Sequence, residues 1–499
     1  MSIALGQLFS GLPCRGLEPA VAGTLVGHIT TDSRQMRPDS LFVALPGEKH
    51  DGMGFAAEAV ARGATVVLAP REPTGDERAR CRGVVWIVAE EARDWVPELA
   101  ARVYGYPGRH LRLHAVTGTN GKTTTCYMLA HILSDDGRRA AFWTTNSVEG
   151  IALPFRPHMT TPHAPDLHRF LAEARTRGAQ DVLVEVSSHA LQLHRIQGLT
   201  FQAAAITNIT PDHLDFHGSF DAYVEAKASL MDYVVPQGVV ALNADDGIVA
   251  SLAARARVKV VRFGFHPAAD VRAEILQLGP DFSRWRWFYE GRLQGEVALP
   301  IPGRHNVQNA LAALAMALHM GMDGPSAARA LQRFVQAPRR LETLTVGGVT
   351  VISDVAMNRG SYDAVMRSIA ELKRPVVVVN AIRGNRGTAV NQDIAETLAD
   401  WNECLGFAPL IVTLSRQHVD RLAVDYRVRP DEVEAFLTTA GARGLAVDLF
   451  QELPEAMQAA MARVAPGGIL LLLGTFGMDD GLALAEEALR HSLVNQTRS

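Results

Sequence analysis

The chain has 499 residues, 47% of them apolar and 20% charged, with a formal net charge of -4. That length exceeds one ordinary domain, so two to four are expected. The charge balance excludes a global basic field that would draw in nucleic acid, and no apolar run reaches the ~20 residues that span a bilayer. The opening MSIALGQLFSGLPC lacks a cationic stretch followed by a sustained apolar one, so no signal peptide is expected. Cys14, Cys81, Cys126 and Cys404 lie far apart with no C-x-x-C spacing. Neither a zinc site nor a disulfide framework is indicated, and a reducing cytoplasm is the default expectation.

Residues 1–110 carry short strand-like runs, SLFVAL at 40–45, TVVLA at 65–69 and VVWIVA at 84–89, with a helical pattern FAAEAVARG at 55–63. They predict a small α/β domain, ending at the Gly/Pro joint YGYPGRH at 104–110. Residues 111–335 form a second block. RLHAVTG reads as strand then loop, TTTCYMLAHILSDDG as a helix stopping near Gly137, and AAFWTT as a strand. PDLHRFLAEARTRGAQ reads as a helix, and the near-continuous apolar runs DVLVEVSS and AAAITNI as strands buried on both faces. This alternation predicts a mostly parallel sheet. The segment from Val271 to Pro300 alternates with period two, which predicts an antiparallel ribbon inserted before the helix NVQNALAALAMALHMG. Residues 336–499 alternate again, with strands VTVISDV, PVVVVNAI, PLIVTLS, AVDLF and GILLLLG, and predict a second doubly wound sheet. The fold class is therefore α/β throughout.

Four features carry chemistry. AVTGTNGKTTTCYML ends like a phosphate-binding loop, yet Val116 stands where the usual G-x-x-x-x-G-K-[ST] spacing puts its first glycine. It lies between strand and helix, where backbone N–H groups and a helix N-terminus favour phosphate oxygens. Lys122 would lie along the phosphates and the Thr123 hydroxyl would reach Mg²⁺. Glu185 closes a buried strand, where a lone carboxylate needs a cation, backbone donors or an ion pair. The loop TNITPDHLDFHG holds Asp212, His213, Asp215 and His217, and the next helix carries Lys227. Asn306 and Asn309 lie one helical turn apart and suit an adenine edge, unless Asn306 is simply a helix N-cap.

Together these residues resemble the Mur ligase family, ATP-dependent enzymes that join an acid to an amine, and within it the MurE branch. The family loop, G-T-N-G-K-T-[ST], is shorter than the usual one and stands at 118–124. TTDSRQMRPDSLFVALPGEKHDGMGF, TTPHAPDLHRFL, EVSSHALQLHRI and TNITPDHLDFHGSFDAYVEAK match as well. The resemblance implies a uridine-nucleotide domain at 1–110, a central P-loop ATPase domain at 111–335 and a C-terminal Rossmann-like acceptor domain at 336–499. It implies that Gly118, Thr119, Asn120, Gly121, Lys122, Thr123 and Thr124 bind ATP, with Asn306, Asn309 and Arg340 on the nucleotide side. Thr123, Glu185, His213 and a carbamylated Lys227 would hold Mg²⁺, and Lys122, Glu185, His213 and Lys227 would be catalytic. Ser33, Arg34, His50, Asp51 and Gly52 would bind the uridine diphosphate end. Thr160, Thr161, Ser188 and Arg195 would hold the muramoyl-peptide part. The implied substrates are small molecules, with no nucleic-acid partner, no membrane insertion and a monomeric state.

The last block departs from the family pattern. SDVAMNRGSYD stands where D-Y-A-H-x-P is usual, and VNAIRGNRGTAVNQD where G-G-x-R-D is. D-N-P-R, the diaminopimelate-recognising motif, is absent, with LSRQHVD in its region, and LLLGTFGMDDG replaces the K-G-H-E tail. Upstream, G-T-[LI]-G has become TTNSVEG. Arg383, Arg386 and Arg416 are candidates for an acceptor carboxylate, or ordinary loop arginines. Three readings stand at this point: a ligase of peptidoglycan precursors, a derived amide ligase with another acid or acceptor, and a nucleotide-binding protein without turnover.

Overall fold

A computed structural model describes residues 2–47, 51–145, 147–149, 159–336, 338–421 and 426–496, the last five as backbone alone. The first block builds a four-stranded parallel sheet from His28–Thr30, Ser40–Val43, Ala64–Ala69 and Val85–Val88, in that order. Helix Ala92–Val103 packs against it. Pro97 inside that helix hides the pattern in the sequence.

A ten-stranded sheet follows. Its centre is the parallel run Lys259–Gly264, Val234–Asn243, Phe201–Ile206, Arg112–Thr117, Asp181–Glu185, Ala140–Trp143. The chain leaves Arg112–Thr117, returns on one side of it with Asp181–Glu185, then crosses to the other with Phe201–Ile206. That reversal opens a crevice at the carboxyl ends of the strands, where α/β proteins bind ligands. Register puts Glu185 beside Val116 and Ile206 beside Thr117, so both neighbours end at the level of the glycine loop.

Strand Val234–Asn243 escapes a periodicity reading because Pro236 and Gly238 interrupt it. The sheet absorbs the break in a bulge, where pairing jumps from Phe201–Val234 to Ala203–Val239. The antiparallel ribbon exists as Val271–Leu278, Ser283–Tyr289 and Arg292–Leu299, but it is no separate insertion. Val271–Leu278 pairs in parallel with Lys259–Gly264, so the ribbon extends the same sheet. Trp285 and Trp287 point inward, fully buried, while Arg284 and Arg286 point outward and pair with Glu296. Helices Lys122–Asp135 and Arg304–His319 share a core with these tryptophans.

The last block has six strands in the order Arg340–Val346, Val349–Asp354, Ile469–Leu473, Val376–Ala381, Leu410–Thr413, Val447–Phe450. All pair in parallel except the first, an antiparallel edge. Among the described residues no helix is long and apolar enough to cross a membrane, and all four cysteines are free thiols.

Glu432 holds the loop at 385–387 in this sheet. Fully buried, it accepts the backbone N–H groups of Asn385, Arg386, Gly387 and Arg429 at 2.8–3.1 Å. Burial alone would raise its pKa, but the four donors outweigh burial and hold it below the usual carboxylate value. A depressed folded pKa gives stability that is present above the unfolded value, about 4.3, and lost as pH falls through the folded value. Glu432→Gln is therefore expected to lower stability by about 1–3 kcal/mol at pH 7. In thermal unfolding scans the deficit narrows as pH drops below about 4.

Candidate functional site

The glycine loop at 118–121 is built by close approach. Gly118 has φ +146° and Gly121 φ +85°. A Cβ on Gly118 would lie 1.9 Å from Thr207 Oγ1, and one on Gly121 would lie 2.3 Å from Asn309 Oδ1. Only glycine fits either place. A neighbouring strand end clamps the loop. The Thr119 N–H donates to the Asn208 carbonyl at 2.8 Å and the Asn120 N–H to Asn208 Oδ1 at 2.9 Å. The Thr207 hydroxyl and the Asn208 amide both donate to the Asn120 carbonyl. Thr119 Oγ1 donates to the Thr210 carbonyl at 3.0 Å. Thr207 and Asn208 fall in TNITPDH, a strand end whose polar residues are the signal that sequence reasoning passed over.

Two amines converge on this loop. Lys122 Nζ donates to the carbonyls of Gly118 and Thr119, both at 3.0 Å. Lys227, 2% exposed, donates to the same Gly118 carbonyl at 2.8 Å and lies 4.6 Å from the Tyr223 ring centre. Burial depresses both pKa values. Glu185 and Asp212 oppose burial at both, but the Lys122 charge pushes Lys227 further, to well below the usual amine value.

Thr123 Oγ1 donates to Glu185 Oε2 at 2.9 Å. The Thr145 N–H also donates to Glu185, at 2.9 Å, and its hydroxyl lies 2.9 Å from Thr160 Oγ1. Thr161 Oγ1 donates to the Glu185 carbonyl, and Arg195 Nη1 to the Thr161 carbonyl at 3.0 Å. Ser188, buried, opens the next helix. Burial lowers the Arg195 guanidinium to about 10. So Lys122, Thr123, Thr160, Thr161, Glu185, Ser188, Arg195 and Lys227 belong to one neighbourhood.

His213, at φ +53°, stands edge-on to His189 with ring centres 4.7 Å apart, and burial lowers its pKa. Asp212 Oδ2 is 3.8 Å from His213 Nε2. Among the described residues no three His, Cys, Asp or Glu side chains form a metal cage. Hard oxygen donors do meet, at Thr123 and Glu185. Mg²⁺ commonly takes only one or two carboxylates plus substrate phosphates, and this donor set fits that habit.

Asn306 is not an N-cap. Gly303 caps the helix, and Asn306 donates to the Pro302 carbonyl and accepts from Asn309. Arg340 opens the edge strand, with its Nε buried and unpartnered among the described residues. Ser33, Arg34, Asp51 and Gly52 lie in the first block. Ser33 donates to Glu58 at 2.7 Å, Arg34 pairs with Asp32, Asp51 caps the turn Gly52–Phe55, and Gly52 backs onto Leu45. His50 lies outside the described residues. In the last block Arg383 is half-buried and donates to the Met357 carbonyl, while the Arg386 and Arg416 side chains are exposed.

Family models match three stretches: "Mur ligase family, catalytic domain" at 25–104, "Mur ligase middle domain" at 116–317 and "Mur ligase, glutamate ligase domain" at 339–476. A UDP-N-acetylmuramoyl-L-alanyl-D-glutamate–2,6-diaminopimelate ligase of Streptomyces avermitilis is 31% identical over 493 residues, covering 96% of this chain and 92% of the relative. The chain belongs to the Mur ligase family. It is thus an ATP-dependent, ADP-forming amide ligase. The Streptomyces coelicolor enzyme of the same name is 32% identical over 467 residues, covering 92% and 88%. A MurF structure from Acinetobacter baumannii has the same fold, with TM-score 0.71, 23% identity and coverage of 98% and 99%. So does a MurF ligase from Thermotoga maritima in complex with ADP, with TM-score 0.67, 17% identity and coverage of 93% and 98%.

Gly118→Ala provides a direct test of the Mur loop. Its methyl cannot avoid Thr207, so calorimetry with ADP should show affinity falling at least ~100-fold, from a backbone strain of about 3 kcal/mol. Wild-type affinity in that variant would refute the tight fit.

Proposed function

We propose that this Mur ligase joins the carboxylate of a UDP-N-acetylmuramoyl peptide, or a close relative of it, to an amino acid by way of an acyl phosphate. The observation that carries the reading is the pair of amines, Lys122 and Lys227, on one loop carbonyl, beside the Thr123–Glu185 contact. In this reading residues 1–110 bind the uridine nucleotide through Ser33, Arg34, His50, Asp51 and Gly52. Residues 111–335 bind ATP on the loop 118–124 with Asn306 and Asn309, and Arg340 reaches it from the hinge. Residues 336–499 bring the acceptor.

A carboxylate is a poor acylating agent because its leaving group is poor. Phosphorylation by the ATP γ-phosphate makes it reactive, but two anions must meet. Lys122 and the loop N–H groups offset their repulsion. Thr160, Thr161, Ser188 and Arg195 orient the acid. Thr123, Glu185, His213 and Lys227 would hold Mg²⁺, which when bound neutralises phosphate charge and polarises the transferred group. An uncharged acceptor amine then attacks the carbonyl, and phosphate leaves. Lys227 suits carbamylation because its buried amine is biased toward the neutral, nucleophilic form. The carbamate would be an anion facing Lys122 and the metal.

A second reading, with an acceptor other than diaminopimelate, is favoured by the last block. The Tyr426 and Phe476 rings stack at 4.0 Å, and Arg383 feels the Tyr426 hydroxyl, Arg386 and Asp212. That is an aromatic and cationic setting, suited to one carboxylate and an apolar side chain.

Phosphate release with UDP-muramoyl-dipeptide and an amino-acid panel decides between the readings. Release with diaminopimelate or lysine supports the peptidoglycan role, and release only with other acceptors supports the second. No release with any member, despite ADP binding, would overturn both. Lys227→Ala should lose at least ~100-fold in kcat, as expected for a lost charge-stabilising group. Short carboxylates should partly restore it and bicarbonate should not. Full activity in the variant would remove the carbamate role.

A further inference from the structure

Asn358 begins helix Arg359–Glu371 of the last block and reaches into the phosphate site of the central block. Its Oδ1 caps the helix by accepting the Ser361 N–H at 3.0 Å, while Ser361 Oγ accepts the Asn358 N–H at 3.0 Å. The same Oδ1 accepts Asn120 Nδ2, from the glycine loop, at 3.3 Å. Its Nδ2 donates to Asp212 Oδ2 at 2.7 Å. The amide orientation is forced. A flip would set its NH₂ against two donors and its oxygen against a carboxylate.

One neutral side chain thus touches both loops that flank the phosphate site. Asp212 Oδ1 accepts the His213 N–H at 3.0 Å, so a pull on Asp212 is a pull on the loop that holds His213. Gly360 comes equally close, since a Cβ there would lie 3.1 Å from Asn120 Nδ2 and 3.2 Å from Thr210 Oγ1. Behind Asn358, the Met357 carbonyl accepts from Arg383, which lies near enough to Asp212 to feel its charge. The segment rewritten in sequence, AMNRGSYD, is therefore the one that seats the last block on the glycine loop.

We propose that Asn358 is a positioning residue that locks the last block against Asn120 and Asp212 and so sets the loops for phosphoryl transfer. This rests on the acyl-phosphate reading for its kinetic arm alone. Two variants separate the lock from the cap. Asn358→Ser keeps a good N-cap but cannot reach Asp212. Asn358→Asp keeps the cap and sets a second carboxylate against Asp212, which repels it.

Both variants should unfold within a few degrees of wild type and bind ADP within about twofold, because neither the cap nor the loop glycines are touched. With the acceptor that the panel identifies, kcat should fall ~10- to 100-fold in Asn358→Ser, the range for a lost hydrogen bond to a charged group, with KM for ATP little changed. Small-angle scattering with a non-hydrolysable ATP analogue should show Asn358→Asp more extended than wild type. Wild-type kcat in Asn358→Ser overturns the proposal, as does a loss of ADP affinity matching the loss of kcat. Scattering needs neither acid nor acceptor. If wild type turns over no panel member, the substrate reading fails, and an Asn358→Asp profile identical to wild type overturns the lock on its own.

Discussion

The Gly118 carbonyl is shared by two amines in a place that water barely reaches, and the rest of the site follows from that crowding. Both nitrogens lie within 3.0 Å of one oxygen, close enough for like charges to repel strongly away from water. Burial adds to the cost, so the pair resists holding two protons. Burial disfavours the charge on both, and Glu185 and Asp212 oppose that effect at both, but at Lys227 the Lys122 charge adds to burial. Burial and the Lys122 charge together bias Lys227 toward the neutral amine. Glycine at 118 lets the carbonyl sit where both can reach it.

Much of this was legible in sequence because apolar periodicity and motif spacing are local. The alternation of strands and helices, the period-two ribbon from Val271 to Pro300, and the shortened G-T-N-G-K-T loop all read directly. What stayed hidden depends on distant partners. Val234–Asn243 is broken by Pro236 and Gly238, and only pairing with Phe201–Ile206 across a bulge makes it a strand. Thr145, Thr207 and Asn208 are given no role by sequence, and their roles come from touching Glu185 and Asn120. The capping alternative for Asn306 falls because Gly303 opens the helix one turn earlier.

The last block keeps its scaffold while its motifs change. Its parallel core is carried by apolar runs such as Ile469–Leu473, which tolerate new loops at their carboxyl ends. Glu432 anchors one such loop through four backbone donors, so Arg386 is held at the backbone while its side chain faces solvent. Recognition can then be altered by side chains without rebuilding the frame.

The clamp on the glycine loop has a consequence for folding. Its hydrogen bonds join residues 87–91 positions apart, and Asn309 closes the loop from further still. Contacts of such sequence separation exist only where the sheet has brought its strands together. A half-folded chain would own the G-T-N-G-K-T sequence without owning a binding site. A nucleotide that binds this loop therefore stabilises only the assembled central sheet, by an amount that grows with its concentration.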